Sequence, residues 1–583
     1  MKRIIYTLLC GLCLALNGAQ AQVADPALPH LDKRNGTTQL IVDGKPFLML
    51  AGELHNSSTG SAHYMAPIWQ RMAAKNLNTV LAVVSWELIE PVEGQFDFTQ
   101  VDNIINGART AGLKVGILWF GSWKNGVSTY VPAWVKQDTR RFPLACFSDG
   151  QKMNTLSTLG TETMKADARA FSALMAHLRE TDTDHTVILV QVENEMGALD
   201  SASTFAGKPN RSMRDYSPLA NRTFEGQVPE ALTDYLAKHR KALHPAIRQA
   251  WEANGSKRQG SWEEVFGKGQ PSSGTDEWLT EFPYLTEEIF MAWHYATYVG
   301  YIAAQGKQEY PLPMYVNAWL KQSGGREPGR YPSGGPLPHV FDIWRAAAPG
   351  IDFFSPDIYA IDIFDETCSS YTTGDNPLFI PETKADAAGA ARAFYAFGRY
   401  GAIGYAPFGI DGKGLIASSD AEDLSYDKAY GCLKHLIPYI QQHAGTPRLT
   451  GLLIDGDRRT DSIEMGEYVI SIAPFSAERA MAVAGIVVED DPNRPKDGTA
   501  GLLIIEMGKG DFLLAGFGDM MIAIEKGSRC KADNIGLLSV DEITFSPEGE
   551  MLSHRLNGDE TALGGVVIGK DEAKIFRVKM YGY

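Results

Sequence analysis

A closed barrel of eight parallel strands, each followed by a helix, with an antiparallel β-sandwich behind it, is the fold this sequence predicts: α/β class, a (β/α)8 or TIM barrel plus one β domain. Three observations predict it. Short apolar, β-branched runs alternate with helical apolar faces between about residues 46 and 411. Eight such runs can be counted, the number that closes a barrel. Beyond about residue 445 the runs recur without helices between them, separated by Gly, Asp, Asn or Pro, which is the texture of a sandwich.

The chain has 583 residues, enough for one large domain and one or two smaller ones. Residues 1–21 read as a secretory signal peptide: Lys2 and Arg3, an apolar run from Ile4 to Leu16, and the small-residue site Ala19-Gln20-Ala21. That run is too short to span a membrane, and no other stretch is long enough, so the expectation is an exported protein, periplasmic or extracellular, with no membrane insertion. The formal charge is −16 and grows more negative once the leader is removed. Nucleic acid and anionic membranes are therefore poor partners. Cys146, Cys368, Cys432 and Cys530 show no paired spacing and read as free thiols more readily than as a disulfide framework or a zinc site.

The expected domains are a barrel over 22–440 and a β-sandwich accessory domain over 445–583. Asp43-Gly44 between two apolar runs predicts a hairpin, whose second arm ends in Gly52-Glu53-Leu54-His55 and serves as the first barrel strand. The helical face Ile68, Trp69, Met72 and Ala73 leads to strand 79–84, ending at Ser85-Trp86-Glu87. Val101, Ile104, Ile105 and Ala108 lead to strand 114–118, followed by Trp119, Phe120 and Trp123. Phe171, Leu174, Met175 and Leu178 lead to the fourth strand, Thr186 to Gly197, which ends in Glu193-Asn194-Glu195. Residues 198–285 break the rhythm and read as a long insertion, either a solvated loop or a lid or cleft wall. Strands 313–319, 352–359, 376–382 and 402–408 complete the barrel, ending near Asn317 and Trp319, Asp357 and Tyr359, Glu382, and Asp411.

In the sandwich the expected strands are 449–454, 467–472, 481–488, 499–506, 510–516, 520–525, 535–545 and 573–580. All eleven tryptophans lie between Trp69 and Trp344, so this region lacks the residue best suited to stacking on sugars, and a structural role fits it better than sugar binding.

A strand buried on both faces does not end in carboxylates without a reason. Barrel active sites lie at the carboxyl ends of the strands, where Glu195 closes the fourth and Glu382 the seventh. Either acid alone is more often a solvated loop residue or an ion-pair partner. Together they form the pair of carboxylates that cleavage of an acetal needs. No His-Glu-x-x-His, Gly-x-Ser-x-Gly or Gly-Lys-Ser/Thr pattern is present to support zinc proteolysis, esterase chemistry or nucleotide hydrolysis.

These positions resemble the retaining (β/α)8 glycoside hydrolases. Gln191-Val-Glu-Asn-Glu-Met-Gly197 is similar to the Gln-Val-Glu-Asn-Glu-Tyr-Gly motif of family 35 β-galactosidases. Leu77-Asn78-Thr79-Val80 with Trp86, Glu90-Pro91 and Gly94-Gln95-Phe96 resembles that family's second-strand signature, and Val131-Pro132-Ala133-Trp134 its segment after the third strand. The likeness covers about residues 38–411, and the tail is similar to the β-sandwich of a bacterial subgroup. Three departures stand out: Met196 for Tyr, Gly52-Glu53-Leu54-His55 for Gly-Ser-x-His-Tyr, and Trp119-Phe120-Gly121-Ser122-Trp123 for a Cys-Ala-Glu-Trp stretch.

The resemblance implies Glu195 as acid/base and Glu382 as nucleophile, with no cofactor and no metal. It implies sugar contacts from Asn194 and Glu193 and an orienting bond from Tyr359, with simple packing the competing reading for Asn194 and Tyr359 and a buried ion pair for Glu193. Glu53 at the end of the first strand is a candidate contact, and Trp86, Trp119, Trp123 and Trp319 lie where a sugar face could stack, although core packing competes for each. The implied activity is exo-hydrolysis of terminal β-galactose from oligo- or polysaccharides such as xyloglucan side chains. The alternatives are a clan relative acting on glucosides, mannosides or arabinosides, and a non-catalytic carbohydrate-binding protein.

Overall fold

The computed structural model describes residues 27–583 apart from 198, 200–212, 269–285, 322–330, 361, 413–423, 476–497, 547, 557 and 562–564. The expected leader and the expected strand at 481–488 lie outside the described residues.

Eight strands close the barrel: β1 Met49–Glu53, β2 Thr79–Ser85, β3 Lys114–Lys124, β4 Val187–Asn194, β5 Met314–Trp319, β6 Phe353–Ile358, β7 in two pieces, Phe379–Ile380 and Glu382–Thr383, and β8 Gly404–Tyr405. Neighbours pair in parallel from β8 through β1 to β6. Closure falls on β7, whose first piece pairs with β8 and whose second pairs with β6. Pro381 separates the pieces, because a proline has no N–H to give to a ladder. The register sets Asp357 opposite Glu382, so both acids arrive at the same height on the rim.

Each strand is followed by its helix: α1 Ala62–Ala74, α2 Thr99–Thr110, α3 Thr161–Thr181, α4 Thr286–Glu309, α5 Phe341–Ala347, α6 Phe364–Tyr371, α7 Ala387–Arg399 and α8 Ser425–His443. The apolar faces expected for α2 and α3 are buried, as are Ile68, Trp69 and Met72 of α1. Two cores result from strand pleating. Met49, Ala51, Leu81, Val83, Leu118, Phe120, Tyr315 and Phe353 fill the barrel, and alternate residues such as Val80, Ala82, Trp119 and Phe354 face the helices. A three-stranded ribbon over residues 30–46 turns at Asp43 and Gly44, both at positive φ, and joins Leu40 and Val42 to the barrel's inner core.

Two expectations change. β3 runs six residues past the expected end at Leu118, with a register break between Trp119 and Lys124. The described part of the insertion is not a solvated loop. It folds into helices at Pro218–Glu225, Glu230–His239, Pro245–Ala253 and Trp262–Phe266, which bury Leu236, Ile247 and Trp251, and Trp262 packs edge-on against Phe290 of α4.

In the sandwich, a six-stranded sheet runs 449–454, 500–508, 511–517, 573–582, 535–545 and 551–556, and faces a four-stranded sheet of 461–465, 468–473, 520–526 and 565–568. The strands at 461–465 and 551–556 escaped the sequence reading because they are largely exposed and carry alternating polar residues, and the buried strand Gly565–Ile568 escaped it because it is only four residues long. The larger sheet lies directly on α7. Gly501 and Gly398 have backbone where a side chain would stand, with Ala391 O 1.9 Å and Thr450 O 2.4 Å from a built Cβ. The buried ion pair Arg392–Asp455 (2.8 Å) ties the two layers, and Leu503, Leu513 and Phe517 share the barrel's outer core. The sandwich therefore packs against the barrel on its α7–α8 side.

Candidate active site

The end of β4 is shaped by backbone conformations that non-glycine residues rarely take. Glu193 and Glu195 have φ of 63° and 47°, on either side of Asn194. Parity along the strand would send Glu193 inward, but the left-handed turn reverses it. Its carboxylate accepts from the backbone N–H of Ser122 (3.0 Å) and of Trp123 (2.8 Å) and lies beside Asp167 of α3. Asp167 accepts from the Trp119 indole (2.9 Å) and the Ser122 hydroxyl (2.6 Å).

Burial, and then Asp167, push Glu193 well above the usual carboxylate range, and burial also raises Asp167. One proton between two buried acids removes the repulsion that two charges would feel there. Glu193 is thus corrected from a sugar contact to the anchor of the turn that aims Asn194 and Glu195. The anchor has no spare room: a Cβ at Gly121 would lie 2.5 Å from Trp119 Nε1, 2.6 Å from Glu193 Oε1 and 2.8 Å from Asp167 Oδ1. Gly121→Ala is accordingly expected to destabilise the fold by about 1–3 kcal/mol, read as a lower midpoint in thermal or urea unfolding.

Asn194, Glu195, Tyr359, Glu382 and Glu53 do come together at the barrel mouth. One carboxylate oxygen from each of Glu195, Asp357 and Glu382 lies within 4.8 Å of the other two. Tyr359 donates its hydroxyl to Glu382 Oε2 at 2.7 Å. Asn317 accepts from the Glu195 N–H (2.9 Å) and donates to Asp357 Oδ2 (2.9 Å) and Glu382 Oε1 (3.4 Å), while Asn194 Nδ2 reaches Glu382 Oε1 at 3.5 Å. Asn194 Oδ1 and Asp357 Oδ1 are buried without a hydrogen-bond partner among the described residues.

Lys124, at the end of β3, lies over the Phe120 ring at 5.1 Å and faces the acids. Burial would lower its pKa, but the charges of Glu382, Glu195, Glu53 and Asp357 hold it above its ordinary value, so it stays an ammonium. Burial, followed by the charge of Glu382, pushes Glu195 up to about 7, and Lys124 opposes that rise. Asp357 is raised well above the usual range by burial and then by Glu382, and it shares a hydrogen bond with Glu195. Four acids facing one cation cannot all ionise, so protons are retained at the mouth at neutral pH. Oxygens this close are also within reach of a hard cation.

The tryptophans divide. Trp86 is fully buried and donates its indole N–H to Glu90 Oε2 (2.9 Å), and Trp119 is fully buried against Phe171 and Asp167. Both pack between strands and helices and are corrected from sugar platforms to core residues, as is Trp123, buried edge-on against Tyr298 with its indole N–H donated to Leu156 O. Trp319 is half-buried at the end of β5, two residues past Asn317. Sequence reasoning did not select Asp357, Asn317 or Lys124. The first two had the same strand-end signal as Glu382, and Lys124 lay past the expected end of β3.

The model of the family described as Glycosyl hydrolases family 35 matches residues 39–294, and a domain described only as of unknown function (DUF5597) matches residues 426–567. A β-galactosidase of Xanthomonas manihotis is 31% identical over 207 residues, which cover 33% of this chain and 31% of that protein. The match thus spans under a third of that relative's length. Among solved structures, the catalytic domain of β-amylase from Paenibacillus polymyxa matches with TM-score 0.44 at 12% identity, covering 68% of this chain and 98% of that one. The β-galactosidase of the psychrophilic Marinomonas ef1 matches with TM-score 0.43 at 14% identity, covering 67% and 60%. The stretch that matches the family 35 model, residues 39–294, holds β1 to β4 and the Gln191–Gly197 segment.

Proposed function

We propose that this protein is an exported retaining exo-β-galactosidase that removes terminal non-reducing β-D-galactose from oligo- or polysaccharides, with side chains of plant cell-wall xyloglucan as the substrate class. One observation carries the reading: the carboxyl oxygens of Glu195 and Glu382 approach within 4.8 Å. Retaining glycosidases keep their two carboxyls roughly 5–5.5 Å apart, and inverting ones leave about 6.5–9.5 Å for a water. The family match and the X. manihotis relative support β-galactose as the sugar. The basic-apolar leader at residues 1–21 supports export to the periplasm or beyond.

In the first half-reaction Glu382, held by the Tyr359 hydroxyl, attacks the ring carbon as Glu195 gives its proton to the departing oxygen. In the second, Glu195 accepts a proton from water, which attacks the glycosyl-Glu382 ester. Asn194, whose Oδ1 has no hydrogen-bond partner among the described residues, takes the hydroxyl next to the reacting carbon. A second reading keeps this machinery and changes the sugar to a glucoside, mannoside or arabinoside; the departure at Glu53 favours keeping it in view. A panel of nitrophenyl glycosides separates the two, and product anomers followed by NMR test the mechanism. Release from the β-galactoside with β-galactose formed first is expected. No release from that substrate overturns the sugar, and α-galactose as first product overturns retention.

A further inference from the structure

Glu53 ends β1 fully buried, and neither of its carboxyl oxygens has a hydrogen-bond partner among the described residues. Leaving a buried carboxyl unsatisfied is costly, and native structures tolerate it chiefly where a ligand, water or ion completes the site. Its surroundings are the mouth itself: Glu382, Lys124, Glu195 and Asp411 act on it. Of these, Asp411 is already engaged by His55 and Ser58, at 2.8 and 2.6 Å. Lys124 and Glu53 are left as a donor and an acceptor facing one another.

Their place in the strand order says what they face. Around the barrel the strands run β7, β8, β1, β2, β3, β4, so Glu382 and the Asn194–Glu195 pair bound one arc of the rim, and Glu53 on β1 and Lys124 on β3 lie within it. Asn317 on β5, Asp357 on β6 and Tyr359 just beyond it fill the opposite arc. With the reacting carbon between Glu195 and Glu382 and the neighbouring hydroxyl at Asn194, the ring edge remote from the reaction, its third and fourth carbons, falls within the Glu53–Lys124 arc.

We propose that Glu53 and Lys124 form a two-point clamp on the hydroxyls at those remote carbons, and that Glu53 sets which epimer the enzyme accepts. This rests on the reading of Glu195 and Glu382 given above. A carboxyl with two free oxygens takes one hydroxyl or bridges a neighbouring pair, and the ammonium donates to whichever oxygen Glu53 leaves. A buried polar group built to meet a hydroxyl rejects the analogue lacking it, by on the order of 10⁴-fold in specificity, because the group is left unpaired in the complex.

The test compares nitrophenyl β-galactoside with its 3-deoxy and 4-deoxy analogues on wild type, Glu53→Gln and Glu53→Ala, with circular dichroism and unfolding midpoints as fold controls. Wild type should lose about 10³-fold or more in kcat/KM on at least one deoxy substrate. Glu53→Ala should lose a similar factor on the parent glycoside and less than about tenfold further on that deoxy substrate, because the same contact is being removed twice. Glu53→Gln keeps an acceptor and should fall between. Equal losses by the variants on parent and deoxy substrates overturn the clamp, as does a wild type indifferent to both deoxy positions. A wild type inactive on every β-glycoside defeats the underlying reading instead, and that outcome is distinct from the other two.

Discussion

Glu382→Gln loses on the order of 10⁴-fold or more in kcat on nitrophenyl β-galactoside, with an unfolding midpoint close to wild type. Gln has nearly the same shape, and its single oxygen can still accept from the Tyr359 hydroxyl, which now holds Glu382 Oε2 at 2.7 Å, while the bond from the Asn317 amide to Oε1 (3.4 Å) is given up. What it lacks is the electron pair and charge to form the glycosyl ester. It also removes the charge that, after burial, most raises Glu195 and Asp357. The variant therefore fails twice, in attack and in the acidity of its partner. Activity within tenfold of wild type would mean that the nucleophile is another group or that the protein only binds sugar.

Glu195→Gln shows the second large effect, a loss of about 10²–10⁴-fold that depends on the leaving group. A nitrophenol departs with little help, so the first step survives better on it than on a disaccharide, where the leaving alkoxide needs a proton. The pH profile carries the same information. Burial and the charge of Glu382 push Glu195 up to about 7, and in the proposed role of acid it must be protonated to act. The kcat/KM of wild type on a disaccharide should accordingly hold below that pH and fall as pH rises through it, since this parameter reports the free enzyme. The limb should vanish in Glu195→Gln. A limb that persists unchanged would assign it to another of the mouth's raised acids, Asp357 being the first to examine.

Much of this fold is legible in the chain because barrel strands announce themselves twice, by apolar content and by the polar residues at their carboxyl ends. The eight strands and the buried faces of α1 to α3 follow from period-two and 3.6-residue patterning that tertiary packing reinforces. Side-chain direction at the rim is harder. Trp119 follows Leu118 and precedes Phe120, both inside the barrel, so alternation alone sends its ring out to the helices. Glu193 breaks the same alternation through a left-handed backbone that Ser122, Trp123 and Asp167 stabilise from elements distant in sequence. Asn317 and Asp357 follow the inward parity of Tyr315 and Phe353, and counting it would have marked them. Lys124 depended on β3 continuing past its apolar run, which only its pairing with β4 reveals.

The central claim is that Glu195 and Glu382 form a retaining pair with Glu382 as nucleophile on a galactosyl unit. Its most direct measurement is peptide mass spectrometry after inactivation with an activated 2-deoxy-2-fluoro-β-galactoside, which makes the ester and slows its hydrolysis. The expected result is one fluorogalactosyl group on the peptide containing Glu382, with activity returning as the ester turns over. A label on a peptide lacking Glu382, or no label while the enzyme continues to cleave β-galactosides, would contradict it.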